Sequence, residues 1–207
     1  MTELSLEHAQ HTADLQREAL SIDNQKFAMW LYLASEVVIF TVFIIVYVIF
    51  RINQPEEVKG VHEDVGLLLV TFNTFLLLTS SWAMVMGLRQ IQKSNPRGLI
   101  QWLGVTAVLG VIFVGLQYVE YNELSHLSIT LSRTTDGFGG FGTRFYTPTA
   151  FHGAHVIIGV IWCLEVMRRA SKGRYSARNY VGVEVFGLYW HFVDVVWILL
   201  FTLIYLV

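Results

Sequence analysis

The sequence predicts an all-α integral membrane protein with five transmembrane helices. Three observations predict it. Hydrophobic residues make up 54% of the 207 positions and charged residues only 14%, against about 25% charge in an ordinary soluble domain. Mean hydropathy is +0.52. The charges gather between five apolar runs, each long enough for the roughly 20 residues that cross a bilayer. No alternation of strand type and no repeat of 20–50 residues accompanies them. The net charge of −2 suggests no nucleic-acid or acidic partner. The single cysteine, Cys163, rules out an internal disulfide and a cysteine-based metal cluster.

Residues 1–26 are polar and mixed in charge, and they read as a cytoplasmic segment that forms a short surface helix or stays loose. They lack a basic stretch followed by a short apolar core, so the first span is expected to insert and remain. The membrane domain, 27–207, then comprises runs at about 27–50, 65–91, 98–123, 149–170 and 182–207. Pro148, just before the fourth run, suits the first turn of a helix. The glycine-rich stretch Asp136 to Tyr146 reads as a turn between spans, since it lacks the strand and the Gly-Lys-Ser/Thr ending of a phosphate loop.

Basic residues set the orientation. Ten of the 14 fall in the N-terminal segment, the second connection and the fourth, including Arg168, Arg169, Lys172, Arg174 and Arg178. This bias places the N-terminus in the cytoplasm and Val207 outside. The Arg168–Arg178 cluster is either this topology signal alone or a site for anionic lipid headgroups.

Ionisable residues inside the spans are the candidates for function. Glu36, in LASEVVIF, lies about nine residues past the start of the first span, roughly 14 Å deep. It is either a carboxyl bonded to a neighbouring helix or a group on a proton or lipid path. Gln117 and Glu120 share a face near the outer end of the third span and are placed to bond the start of the fourth. There His152 and His155 stand three apart. In the last run His191 and Asp194 are also three apart, and they are expected to pair.

His-x-x-His near a carboxylate invites a metal, but helical di-iron sites use Glu-x-x-His on two helices plus two further Glu, and that pattern is absent. A desaturase-type centre needs more histidines than the seven here, three of which (His8, His11, His62) lie outside the spans. A haem between two histidines would meet bulky neighbours, Tyr189, Trp190 and Phe192. Interhelical hydrogen bonding is the preferred reading. A transporter would need an inverted repeat or broken helices, which are missing. The residues by themselves describe a five-helix membrane protein with a few buried polar groups and no visible chemistry, the profile of a subunit.

In order along the chain, LASEVVIF, NTFLLLTSSWAM, GLQYVEYNEL, FHGAHVIIG and GLYWHFVDVVWILLFTLIY resemble subunit III of haem–copper terminal oxidases, from about residue 27 to the end. The match is to the five-helix bacterial form, which lacks the first two helices of the seven-helix form. The resemblance implies a V-shaped bundle with phospholipids in its cleft. It implies an accessory subunit without cofactors of its own, lying in the bacterial inner membrane against subunits I and II, with the haems and copper in those partners, and able to join a larger respiratory supercomplex. It further implies that Glu36 supports proton uptake, and that His152, His155, His191 and Asp194 are structural and lipid-cleft residues. Cytochrome c oxidase is the favoured type. A quinol oxidase and the subunit III-like protein of nitric oxide reductase are the alternatives, and a stand-alone membrane metal oxidase is the alternative of another class.

Overall fold

The computed structural model describes residues 3–55, 67–126 and 140–206 and contains helices throughout. Five are long and apolar enough to cross a membrane: within α1 (Glu3–Asn53), α2 (Leu67–Gln92), α3 (Pro96–His126), α4 (Phe141–Ser171) and α5 (Val181–Leu200), the last continued by a π-helical turn, Phe201–Leu206.

α1 departs from expectation at its start. The polar segment is neither separate nor loose but forms one helix with the first span. At 1.5 Å per residue, 51 residues reach about 75 Å, well over twice a hydrocarbon core of about 30 Å, so the polar half must project beyond the membrane. Within the span, Leu33, Glu36, Phe40, Tyr47 and Phe50 form the buried stripe. Their spacings of three, four and seven keep them on one face.

α2 and α3 pack on each other more extensively than any other two helices described. A three-residue reversal joins them: Ser94 takes a positive φ of 58°, Asn95 Oδ1 accepts from the Gly98 amide at 3.0 Å, and Pro96 opens α3, where its missing N–H is harmless. Here the proline rule holds. In α4 it does not, because that helix begins at Phe141 and Pro148 lies two turns inside it. Of the glycine-rich stretch, Gly140 is a turn residue that caps α4, and Phe141 to Tyr146 are helix rather than turn. Asp136–Gly139 lie outside the described residues. Arg144 helps to hold this early turn, donating from Nη1 to the Gly140 carbonyl at 3.0 Å and lying 4.4 Å above the Phe50 ring.

α5 is the centre of the bundle, packed on α4, α2 and α1. Eleven of its 20 residues are buried, whereas most of the α1 span is exposed, so α1 is the peripheral helix. Trp190 of α5 fixes the spacing to α3 and α4. A Cβ on Gly159 would stand 2.6 Å from its Cζ3, and one on Gly110 2.9 Å from its Cη2. Only glycine lets those backbones approach the ring so closely.

Candidate functional site

The polar groups of the spans form two layers, each built around α5. The deeper layer begins with Glu36 on α1. Its Oε2 lies 3.3 Å from His155 Nε2 on α4, a contact not aligned as a hydrogen bond. Both side chains are nearly buried. His155 Nδ1 is 2.8 Å from the Phe151 carbonyl, and a carbonyl only accepts, so Nδ1 carries a proton. Nε2 is thus left facing the Glu36 carboxyl across the boundary between α1 and α4. Phe40 and Phe151 enclose the imidazole at centroid distances of 5.5 and 4.7 Å. Tyr189 stacks on its third side at 6.4 Å and donates its hydroxyl to the His155 carbonyl at 2.9 Å.

His152 lies one turn earlier, fully enclosed. Its Nε2 donates to the Val193 carbonyl at 3.1 Å, and the ring packs on Phe113 and Trp197. His191 does not pair with Asp194. Its Nδ1 is 2.5 Å from Ser81 Oγ on α2, while neither Asp194 oxygen has a hydrogen-bond partner among the described residues. Sharing one helical face is not enough to join them: His191 points to the edge between α1 and α2, and Asp194 is buried. The Ser81 hydroxyl is also near enough to interact with Asp194, so the serine stands between the two. Two indoles complete this layer, Trp190 donating to Ser80 Oγ at 3.0 Å and Trp197 to Thr74 Oγ1 at 2.9 Å.

In the layer nearer the α3 C-terminus, Gln117 Nε2 donates to the Thr149 carbonyl and to the Tyr121 hydroxyl, both at 3.0 Å. Tyr121 in turn donates to Thr149 Oγ1 at 2.8 Å. Glu120 turns elsewhere. It accepts from Tyr205 in the π-helical turn at 2.8 Å rather than bonding the start of α4. That turn is also strapped to α1, since Arg51 donates to the Leu203 carbonyl at 3.1 Å and Tyr47 to that of Ile204 at 3.4 Å.

At the opposite end, Arg168 and Arg169 both clamp Glu165, at 2.6–2.8 Å. Arg169 and Arg174 line a small polar pocket with Gln25 and Tyr175, where burial raises the Tyr175 phenol above its ordinary pKa. Lys26 of α1 pairs with Glu184 of α5 at 2.7 Å. Among the described residues no three of His, Cys, Asp and Glu converge as a metal-binding group.

Sequence reasoning missed Ser81, Thr149, Tyr121, Tyr205 and Glu184. Tyr121 and Tyr205 carried a weak signal, as phenols inside apolar runs that need an acceptor once buried.

The family model for cytochrome c oxidase subunit III matches residues 7–207. This chain belongs to that family. Subunit III relatives include cytochrome c oxidase subunit 3 of a Synechocystis strain, 38% identical over 185 residues, covering 89% of this chain and 76% of that protein. Cytochrome c oxidase subunit 3 of Thermostichus vulcanus is 34% identical over 205 residues, covering 95% and 98%. Cytochrome bo(3) ubiquinol oxidase subunit 3 of Buchnera aphidicola is 33% identical over 177 residues, covering 86% and 88%. The chain is accordingly a multi-pass membrane subunit of a haem–copper oxidase complex. Its five spans agree with the five-helix form of subunit III.

Proposed function

We propose that this chain is the non-catalytic accessory subunit of a proton-pumping oxygen reductase of cytochrome c oxidase type, seated against subunits I and II in a bacterial inner membrane. The observation that supports this reading is the Glu36–His155 pair. It sets a carboxyl against an imidazole within a nearly closed site, twelve residues into the Asn24–Asn53 span, where an ionisable group is rarely kept without a use. In this reading the pair supports proton uptake by the partner and holds α1 in place, His191 borders the lipid cleft, and His152 and Asp194 shape that cleft from behind. The haems and copper belong to the partners. The N-terminus lies in the cytoplasm, as the basic residues suggest; a reporter fused at Val207 that was active only in the cytoplasm would refute this.

A quinol oxidase is the second reading, favoured by the relative named as a ubiquinol oxidase subunit at 33% identity. A mild-detergent pull-down with an optical spectrum and mass spectrometry tests both. A haem a- or o-type spectrum with a large twelve-helix partner is expected, and the accompanying second subunit identifies the donor. A chain that elutes alone and carries iron overturns the accessory role.

A further inference from the structure

The connection from α4 to α5 builds a polar site of its own, at the end of the bundle that carries Lys26. α4 ends in a turn closed by two bonds. The Gly173 amide donates to the Ala170 carbonyl at 3.0 Å and the Arg174 amide to the Arg169 carbonyl at 3.2 Å. Gly173 takes the positive φ of 70° that this helix ending requires. The turn returns Arg174 to the side of the cavity that Arg169 lines. Ser176 and Asn179 then bond each other through the backbone in both directions, at 3.0 and 3.1 Å, and lead the chain into α5. There Gly182 admits the Tyr175 ring, since a Cβ at that position would stand 2.9 Å from the phenol oxygen. Between these walls and Gln25 of α1 lies a cavity of about 300 Å³, at the small end of the pockets that hold small molecules, about 300–1,000 Å³.

We propose that this cavity is a binding site for the phosphate dianion of a small water-soluble phosphomonoester. The charge fits. Glu165 is shared by Arg168 and Arg169, so those three groups carry one net positive charge. Arg174, which closes no ion pair among the described residues, adds a second. A phosphomonoester carries about −1.5 to −2 at pH 7 and offers three acceptor oxygens. The donors fit as well. Glu165 takes the Nε side of Arg169, and Arg174 brings a whole guanidinium fork, the group that meets phosphate oxygens in pairs. The side-chain amides of Gln25 and Asn179 stand on the same wall and serve the remaining oxygen. The lining disfavours a lipid. Only Ile22 and Val181 around the cavity are aliphatic, too few to carry an acyl chain, and a phosphodiester headgroup leaves one of the two positive charges unmatched. The site is separate from Glu36, which lies eleven residues or about 16 Å of helix beyond Gln25, and it does not rest on the function proposed above. Because Gln25, Arg169 and Gly182 belong to α1, α4 and α5, a phosphate held here fastens the peripheral helix to both others.

The test titrates glycerol phosphate into the intact oxidase complex in dodecyl maltoside, with binding read from broadening of the probe's phosphorus NMR resonance. Wild type should broaden it saturably. Arg174→Ala should weaken binding about tenfold or more, the loss of one charge-assisted hydrogen bond. Arg174→Lys should lose less, because it keeps the charge without the fork. Asn179→Asp, which sets a carboxylate in the wall, should weaken binding at least as much as Arg174→Ala. Arg178→Ala removes a charge from the same connection without lining the cavity and should leave the affinity nearly unchanged. Inorganic phosphate should displace the probe and dioctanoyl phosphatidylglycerol should not. The haem spectrum and subunit stoichiometry of the same samples show that each variant has assembled. A wild-type complex that leaves the resonance sharp would overturn the proposal, as would equal affinity in wild type, Arg174→Ala and Asn179→Asp. An equal loss in Arg178→Ala would reduce the binding to diffuse surface charge and overturn it too. Displacement by the short-chain lipid would make the cavity a headgroup site and reject a soluble ligand.

Discussion

Glu36 Oε2 and His155 Nε2 lie 3.3 Å apart and bring α1, the least buried span, against α4 through a polar contact. Apolar packing of α1 is confined to one narrow stripe, and in lipid such packing has little hydrophobic drive behind it. The polar contact therefore carries an unusual share of α1 docking.

Glu36→Gln keeps a polar group facing Nε2, whereas Glu36→Ala leaves that buried imidazole nitrogen without one. The alanine variant should lose about 1–3 kcal/mol and the glutamine variant less, as read by reversible unfolding in mixed micelles. In the complex, both should leave the haem spectrum intact while changing durability under turnover or the rate of proton uptake. Loss of the haems themselves would contradict the accessory role.

Asp194→Asn should change assembly little, because no hydrogen bond closes on either carboxyl oxygen. Ser81→Ala should cost about 1 kcal/mol, since it strips His191 Nδ1 of its 2.5 Å partner. Subunit stoichiometry and thermal stability rank the two. The reverse order would reinstate a His191–Asp194 pair.

Gly159→Ala places a methyl 2.6 Å from the Trp190 ring. Both lie on α-helices packed at the centre, so relief must come from the indole or the helix spacing, at about 1–3 kcal/mol. The shift should also lengthen the Trp190–Ser80 hydrogen bond, so that Ser80→Ala costs less in this background than alone. Strict additivity in the double-mutant cycle would count against that coupling.

Tyr205→Phe removes the donor to Glu120 and leaves a buried carboxyl unserved, at about 1–3 kcal/mol. Glu120→Gln keeps an acceptor oxygen for Tyr205 and should cost less. Carboxypeptidase digestion of the C-terminus offers an independent readout, because the π-helical turn is strapped through Tyr205 as well as through Tyr47 and Arg51. Equal digestion rates in wild type and Tyr205→Phe would show that the strap does not need the phenol.

Five spans were legible in the amino-acid order because apolar runs of membrane length have few other uses. The interior polar residues were legible as well, because Glu36, His152 and Asp194 interrupt runs that otherwise exclude them. Their partners were not. Helical period assigns a residue to a face of its own helix and says nothing of which helix lies opposite. His191 and Asp194 share a face and still part company, one to Ser81 and the edge between α1 and α2, the other inward. Gln117 reached the fourth span, while Glu120, three residues on, met Tyr205. Pro148 misled for a related reason: proline marks a first turn where water can take over the freed carbonyl, but within a bundle neighbouring side chains and helices can serve it. Order along the chain thus set how many helices cross and which groups they carry inward. The packing of α5 against α1, α2 and α4 set which of those groups meet, because only three-dimensional proximity chooses among partners that sequence period leaves equivalent.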